Sequence, residues 1–336
     1  MLEHGGNLVQ AMAKYGHRRA DWLDLSTGIS PHPFAVPPIP PARWHRLPES
    51  DDGLLKAAAD YYGSDALLPV PGSQAAIQAL PAIVGGRGVG ILWPTYNEHE
   101  RAWQRHAPVK VCAATLESAS ERLDTLVIVN PNNPTGERLS RETLLHCHAR
   151  LTERGGTLII DEAFADTDPT DSLTDLAGRP GLIVLRSLGK FFGLAGARTG
   201  FVFAPPSIRD ALAERLGPWC MGGPAQFAAT TALLDLDWQN AARERLREES
   251  ARLDTLLLSH GAPARAGCAL FRWVPTPDAR RWQEHFARTA IWVRAFDMPT
   301  ALRFGLPADN TGWARLDAAL AAGTRDGLRL TDEPHP

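Results

Sequence analysis

The sequence predicts an α/β fold, with a large domain on a mostly parallel sheet over residues 45–222 and a smaller α+β domain assembled from 1–44 and 223–336. Three observations carry this expectation. Short apolar runs alternate with helical stretches from residue 89 to residue 204, the pattern of a parallel sheet joined by crossover helices. Residues of chemical interest fall just past the carboxyl ends of those runs, where such sheets place their ligands. After Pro205-Pro206 the pattern changes, and a long helical stretch gives way to strands separated by helices.

In chain order, residues 1–44 are rich in Pro and Gly, as in Pro37-Pro-Ile-Pro-Pro41, and read as an irregular arm. Trp22, Leu23, Leu25 and Ile29 give that arm apolar surface, so it is expected to drape over a larger body. A helix is predicted from Gly53 to Tyr62, ended by Gly63. Gly72-Ser73 reads as a turn that caps a helix running through Ala75 to Val84. Gly85-Gly-Arg-Gly-Val-Gly90 has the composition of a dinucleotide loop but leaves a helix and enters a strand, the reverse of the required order. Strands are predicted at 89–93, 109–112, 125–130, 157–161, 182–186 and 199–204, with helices near 97–106, 140–154 and 171–178. Pro224 to Leu258 reads as mostly helical with a break at Trp238, and its Arg/Glu-rich stretch 243–252 as a solvated face. Strands follow at 270–274, 291–294 and 301–304, helices at 278–289 and 311–322, and a frayed polar tail at 323–336.

Composition narrows the function classes. The 336 residues are 44% hydrophobic with a net charge of −3, enough for a full core and without a basic patch for nucleic acid. No apolar run approaches the roughly 18 residues of a membrane span. Met1-Leu-Glu-His-Gly-Gly-Asn7 lacks the charged and apolar regions of a signal peptide. Cys112, Cys147, Cys220 and Cys268 show no Cys-x-x-Cys spacing, so free thiols and a cytoplasmic setting are expected. His146-Cys147-His148 is not a metal site, because consecutive helical residues point about 100° apart, and no metal is expected. Asp166-Thr-Asp-Pro-Thr-Asp-Ser172 lacks the glycine and terminal glutamate of a calcium loop.

The densest chemistry lies in Ser187-Leu-Gly-Lys190-Phe-Phe-Gly-Leu-Ala-Gly-Ala-Arg198-Thr-Gly200. Lys14, Lys56, Lys110 and Lys190 are the four lysines of the chain, and only Lys190 follows a buried strand among Gly and Phe. Poor hydration there favours the neutral amine that condenses with a carbonyl, which makes Lys190 a candidate Schiff-base residue. Ser187 and Arg198 flank it as phosphate ligands, one by its hydroxyl and one by its fork of N–H donors. The helix start at Ser73 offers free N–H groups and a positive dipole end for an anion. Tyr96, the segment Asn130-Pro-Asn-Asn-Pro-Thr-Gly136, and Asp161-Glu-Ala-Phe164 fall at the ends of three other strands.

Together, Asn130–Gly136, Asp161–Phe164 and Ser187–Gly200 resemble the fold-type I pyridoxal-phosphate (PLP) enzymes of the aminotransferase superfamily, over nearly the whole chain. Within it the sequence is most similar to the branch of histidinol-phosphate aminotransferases and threonine-phosphate decarboxylases. His4-Gly-Gly-Asn7, Asp24-Leu-Ser-Thr-Gly-Ile-Ser-Pro31 and Leu302-Arg-Phe-Gly-Leu-Pro307 resemble the decarboxylase-like proteins of cobalamin synthesis more closely. The resemblance implies that PLP is bound by Lys190 through its aldehyde, with Asp161 at the pyridine nitrogen and Asn133 at the ring 3′-oxygen. It implies Tyr96 on one ring face, Ala163 on the other, and a phosphate held by Ser73, Gln74, Ser187 and Arg198. Lys190, Asp161 and Tyr96 are then the catalytic residues, and His4, Gly28, Asn133, Arg294 and Arg303 the substrate-binding ones.

Two departures stand out. Many aminotransferases of this type carry Tyr where this chain has Phe164, and that phenol also bonds the 3′-oxygen. The histidinol-phosphate branch offers a partner-subunit tyrosine from an Arg-Tyr-Pro segment, which here reads Arg46-Leu47-Pro48. A homodimer with a shared active site is still what the resemblance implies. Two arginines, Arg294 and Arg303, suit a small substrate with both carboxylate and phosphate. The expected activity is therefore decarboxylation of L-threonine O-3-phosphate; the alternatives are an aminotransferase, for example for histidinol phosphate, and a silent PLP-binding scaffold.

Overall fold

The computed structural model describes residues 4–49, 52–262 and 266–331. Along the chain the strands are β1 (Leu23–Asp24), β2 (Leu67–Val70), β3 (Val89–Leu92), β4 (Val109–Val111), β5 (Thr125–Val129), β6 (Thr157–Asp161), β7 (Leu182–Ser187), β8 (Gly200–Phe203), β9 (Ala266–Cys268), β10 (Phe271–Pro275), β11 (Ile291–Trp292), β12 (Arg294–Asp297) and β13 (Thr300–Gly305). The chain divides into two compact units, one of residues 33–133 with 138–241 and the other of 1–32, 134–137 and 242–336.

The first unit is built on a seven-stranded sheet in the order β2-β8-β7-β6-β5-β3-β4. Neighbours from β7 across to β4 are parallel, while β8 runs antiparallel to both β7 and β2. All five residues of β5 and all four of β3 are buried, as expected of parallel strands covered on both faces. Val127, Ile159, Ile183 and Leu185 pack with Ala76, Ile77 and Leu80 of the helix Ser73–Val84 to form the core of one face. The predicted strands of this unit all form, and the sheet gains β2, which the Pro-containing run Leu67–Val70 did not announce.

The second unit carries an antiparallel sheet in the order β12-β13-β10-β9 and a short parallel pair, β1 with β11. The single strand expected at 291–294 is split, because Ile291 pairs with Leu23 while Arg294 pairs with Arg303. The arm read as irregular contains a helix, Leu8–Tyr15, whose Ala11 packs in one cluster with Trp22, Ala287 and Ala290. The tail read as frayed is docked up to Leu330: the last helix, Asn310–Arg325, is followed by buried Leu328 and Leu330. The Arg329 carbonyl accepts hydrogen bonds from Trp282 Nε1 at 2.8 Å and Thr276 Oγ1 at 2.6 Å. The end of that tail, 332–336, lies outside the described residues.

Two further expectations give way in the first unit. The helix expected at 171–178 is only a 3-10 turn, Thr174–Leu176. Ser172 there donates to Glu162 and accepts from the Thr174 N–H, and such side-chain bonding favours turns over helix. The break expected at Trp238 falls instead at Asp235, between the helices Gly223–Leu234 and Leu236–Ser259. Asp235 Oδ1 accepts from the Trp238 N–H at 2.9 Å as a cap. Trp238 itself packs on Phe34, Phe191 and Phe192, with the Phe192 ring stacked at 5.6 Å.

Behind the carboxyl ends of β6 and β7 lies a buried ionic knot. Arg186 donates to Glu162 Oε2 at 2.7 Å and to Asp166 Oδ1 at 2.6 Å, all three side chains being almost fully buried. Ser172 Oγ and the Leu173 N–H complete the Glu162 carboxylate, and Tyr61 donates to Asp166. Burial alone would lower the Arg186 guanidinium, yet Asp166 and Glu162 hold it well above its usual range. Removing one partner of such a set leaves buried charge uncompensated. Arg186→Met is expected to cost about 3–5 kcal/mol of stability, read as a lowered urea midpoint; an unchanged midpoint would show that the knot contributes nothing.

Candidate active site

The carboxyl ends of β5, β6 and β7 and the start of the helix Ser73–Val84 surround a cleft of about 140 Å³. Its walls include Ser73, Gln74, Tyr96, Asn133, Asp161, Ala163, Phe164, Ser187, Lys190 and Arg198. Nine of these ten were expected at a cofactor, Phe164 being the addition. His4, Gly28, Arg294 and Arg303 belong to the other unit.

Asp161 ends β6 and is 3% exposed. A carboxylate so deeply buried must be hydrogen-bonded. Its Oδ1 accepts from the Ala163 N–H at 3.1 Å, and its Oδ2 lies 3.0 Å from Nε2 of buried His99. Because a carboxylate accepts, the His99 ring must carry a hydrogen on Nε2. The sequence reading did not single out His99. The available signal was its position three residues after Tyr96 on the helix Asn97–Trp103, since residues three apart share a helix face.

Tyr96 caps that helix, and its ring meets the His99 ring edge-on at 6.1 Å. Its phenol donates to Gln74 Oε1 at 3.3 Å. Burial first, then the Glu98 and Asp161 carboxylates, push the Tyr96 phenol up to about 12, so it stays protonated at neutral pH. Lys190 follows β7 in a half-buried position, its Nζ 5.3 Å from the centre of the buried Phe164 ring. The next two residues, Phe191 and Phe192, are fully buried against Trp238, which anchors the lysine loop.

At the other end of the cleft a donor set converges. Gly200 of β8 lies opposite Ser187 of β7. A Cβ on Gly200 would come within 2.6 Å of the Ser73 nitrogen, so glycine is what lets the helix start approach these strands. Gly72 has φ +78°, and a Cβ there would meet Arg198 Nη2 at 2.5 Å. The Arg198 guanidinium therefore lies over a glycine beside a helix N-terminus, which suits an anionic group such as a phosphate. A lysine, a buried carboxylate, a tyrosine ring and this anion cradle together fit a phosphorylated aromatic aldehyde.

In the second unit Arg294 and Arg303 face each other across the β12–β13 ladder. Arg303 is 5% exposed, donates to the Ser26 carbonyl at 2.6 Å and lies 5.1 Å from the Phe271 ring centre. Burial and then the neighbouring Arg294 pull its guanidinium down to about 10. Gly28 is buried with φ 61°, and His4 is exposed. Among the described residues no His, Cys, Asp and Glu side chains cluster to hold a metal ion. No helix among them is long and apolar enough to cross a membrane.

Comparison with known proteins bears on both units. The chain is 52% identical over 322 residues to threonine-phosphate decarboxylase of Pseudomonas aeruginosa, covering 95% of this chain and 97% of that protein. It is 43% identical to threonine-phosphate decarboxylase of a Sinorhizobium species, over 95% of this chain and 98% of that one. The crystal structure of histidinol-phosphate aminotransferase from Sinorhizobium meliloti in complex with pyridoxal-5′-phosphate superposes with a TM-score of 0.82 at 20% identity. That match covers 97% of this chain and 99% of the other, and shows a shared fold. The sequence profile of aminotransferase class I and II matches residues 43–329. The chain belongs to the aminotransferase class I and II family.

Proposed function

We propose that this protein is a PLP-dependent lyase that decarboxylates L-threonine O-3-phosphate to (R)-1-amino-2-propanol O-phosphate in cobalamin biosynthesis. One observation carries the chemistry: Lys190, Asp161 and the Ser73–Ser187–Arg198 donor set line a single cleft. The near full-length similarity to two threonine-phosphate decarboxylases supports the choice of substrate. When bound, PLP supplies an electron sink for the pair left at Cα when a bond to it breaks.

The residues of the chain then have distinct tasks. Lys190 holds the cofactor aldehyde through its amine. Asp161, oriented by His99 and the Ala163 N–H, keeps the pyridine nitrogen protonated, as a buried carboxylate favours a proton on a neighbouring base. Asn133 bonds the ring oxygen, Tyr96 stacks on one face, and Ala163 is small enough to leave room on the other. Ser73, Gln74, Ser187 and Arg198 take the phosphate. Phe164 presents no hydroxyl to this cleft, where a tyrosine would.

Arg303 and Arg294 receive the substrate's two anions, with His4 and Gly28 of the same unit as further contacts. Arg303 is already strained electrostatically by burial and by Arg294. An arriving carboxylate or phosphate relieves both costs, so this pair favours a doubly anionic substrate. Threonine phosphate has both groups, whereas histidinol phosphate has the phosphate alone. The bond aligned for cleavage is set by where the carboxylate is held, and an anchor that holds it perpendicular to the ring selects decarboxylation. A cytoplasmic homodimer sharing its active sites completes the proposal, and sedimentation at micromolar concentration tests the dimer.

The deciding experiment offers the purified protein and PLP either threonine phosphate or histidinol phosphate with 2-oxoglutarate. Carbon dioxide and aminopropanol phosphate are expected from the first mixture and little glutamate from the second; fast glutamate formation without carbon dioxide would make it an aminotransferase. Arg303→Ala is expected to lower kcat/KM by roughly 10- to 100-fold, the worth of a charge-assisted bond of about 1.5–3 kcal/mol. Wild-type kinetics in that variant would remove Arg303 from the substrate site. Lys190→Ala should abolish turnover and the visible absorbance of lysine-bound cofactor while leaving far-UV circular dichroism unchanged. Borohydride trapping of the wild-type cofactor on Lys14, Lys56 or Lys110 would refute the assignment.

A further inference from the structure

We propose that Glu98 is a positioning residue which, acting through Gln74, sets the placement of the Tyr96 ring over the cofactor. The inference rests on the reading of the cleft as the PLP site. Glu98 lies on the helix Asn97–Trp103 and is 7% exposed. Its Oε2 accepts from Gln74 Nε2 at 3.0 Å and from Gln78 Nε2 at 3.1 Å. Those two glutamines are four residues apart on the helix Ser73–Val84 and so share a face.

The direction of these bonds matters more than their number. A carboxylate can only accept, so Gln74 must turn its amide nitrogen toward Glu98. That leaves Gln74 Oε1 pointing away, and it is this oxygen that accepts the Tyr96 O–H at 3.3 Å. The phenol is a permanent donor at neutral pH, since burial and Glu98 raise it. Donor and acceptor roles therefore agree along the whole line from Gln78 and Gln74 to Glu98, and from Tyr96 to Gln74. With Glu98 removed, the Gln74 amide can turn over and present its nitrogen to the phenol, which breaks the line.

The line also couples two ends of the proposed cofactor. Gln74 stands in the first turn of the helix whose N–H groups form the phosphate cradle, and Tyr96 covers the ring. A carboxylate beside that first turn is favoured by the helix dipole. Glu98 thus keeps the ring platform and the phosphate cradle in register, although it does not line the cleft itself.

The test uses the holoenzyme and compares Glu98→Gln, Glu98→Ala, Gln74→Ala and the double alanine variant. The readouts are the rate of PLP release and the circular dichroism of the bound-cofactor band, which reports ring placement. Glu98→Ala is expected to release PLP about tenfold faster, the loss of one to two bonds to a charged acceptor, with a weakened dichroic band. Glu98→Gln should stay close to wild type, because its single amide oxygen can take both glutamine bonds. Gln74→Ala should match Glu98→Ala, and the double variant should lose nothing further, as residues acting through one another are non-additive. Wild-type release and dichroism in Glu98→Ala, equal losses in Glu98→Gln and Glu98→Ala, or additive losses in the double variant would each overturn the proposal. If Glu98→Ala fails to fold, Gln74→Ala decides alone, and a wild-type band there refutes the link. Failure of the wild-type protein to bind PLP would instead sink the underlying reading of the cleft.

Discussion

A buried carboxylate at the end of β6 is the constraint to which the neighbouring elements answer. Asp161 has almost no contact with water, and an isolated charge in that position would be prohibitively costly. Two groups offset the cost from opposite directions. The chain turns sharply after the strand so that the Ala163 N–H comes back to one oxygen, and the helix Asn97–Trp103 delivers His99 to the other. The same helix start places Tyr96, so the ring platform and the partner of the carboxylate arrive as one rigid piece. The price of burying Asp161 is thus tied to the geometry of the cleft.

The opposite end of the cleft depends on close approach of backbone. Reversal of β8 against β7 sets Gly200 opposite Ser187, and the absence of a side chain at Gly200 admits the Ser73 nitrogen. Gly72 does the same for the Arg198 guanidinium. Two missing methyl groups therefore allow a helix terminus, a hydroxyl and a guanidinium to meet. A side chain at Gly200 would press on both the Ser73 nitrogen and the Arg186 carbonyl of β7, and one at Gly72 on the Arg198 guanidinium.

Both ends are braced from behind by interactions that never reach the cleft. The Arg186 knot joins the residue after Asp161 to the residue before Ser187, so strand alternation puts site residues on one side and the knot on the other. The aromatic packing of Phe191 and Phe192 on Trp238 holds the loop that begins at Lys190. A polar knot supplies direction through its hydrogen bonds, while the aromatic cluster supplies bulk. Together they leave the lysine half-buried on an otherwise anchored segment.

Much of this was legible in the sequence because parallel strands are local apolar runs and their ligand-facing ends are adjacent in the chain. Lys190, Asp161, Asn133, Ser187 and Arg198 could be named from short motifs, and the class of fold followed from alternation of strands and helices. Elements whose character depends on remote partners were not legible. Trp238 read as a helix breaker because its three phenylalanine neighbours lie far away in sequence, and the docked tail at Leu328 and Leu330 read as frayed because Trp282 and Thr276 hold it across the fold. His99 and Glu98 lie in the helix expected near 97–106, but nothing in the sequence singled either out. Only the tertiary structure decided that one meets Asp161 and the other two glutamines, since a hydrogen bond between distant segments leaves no periodic trace in the chain.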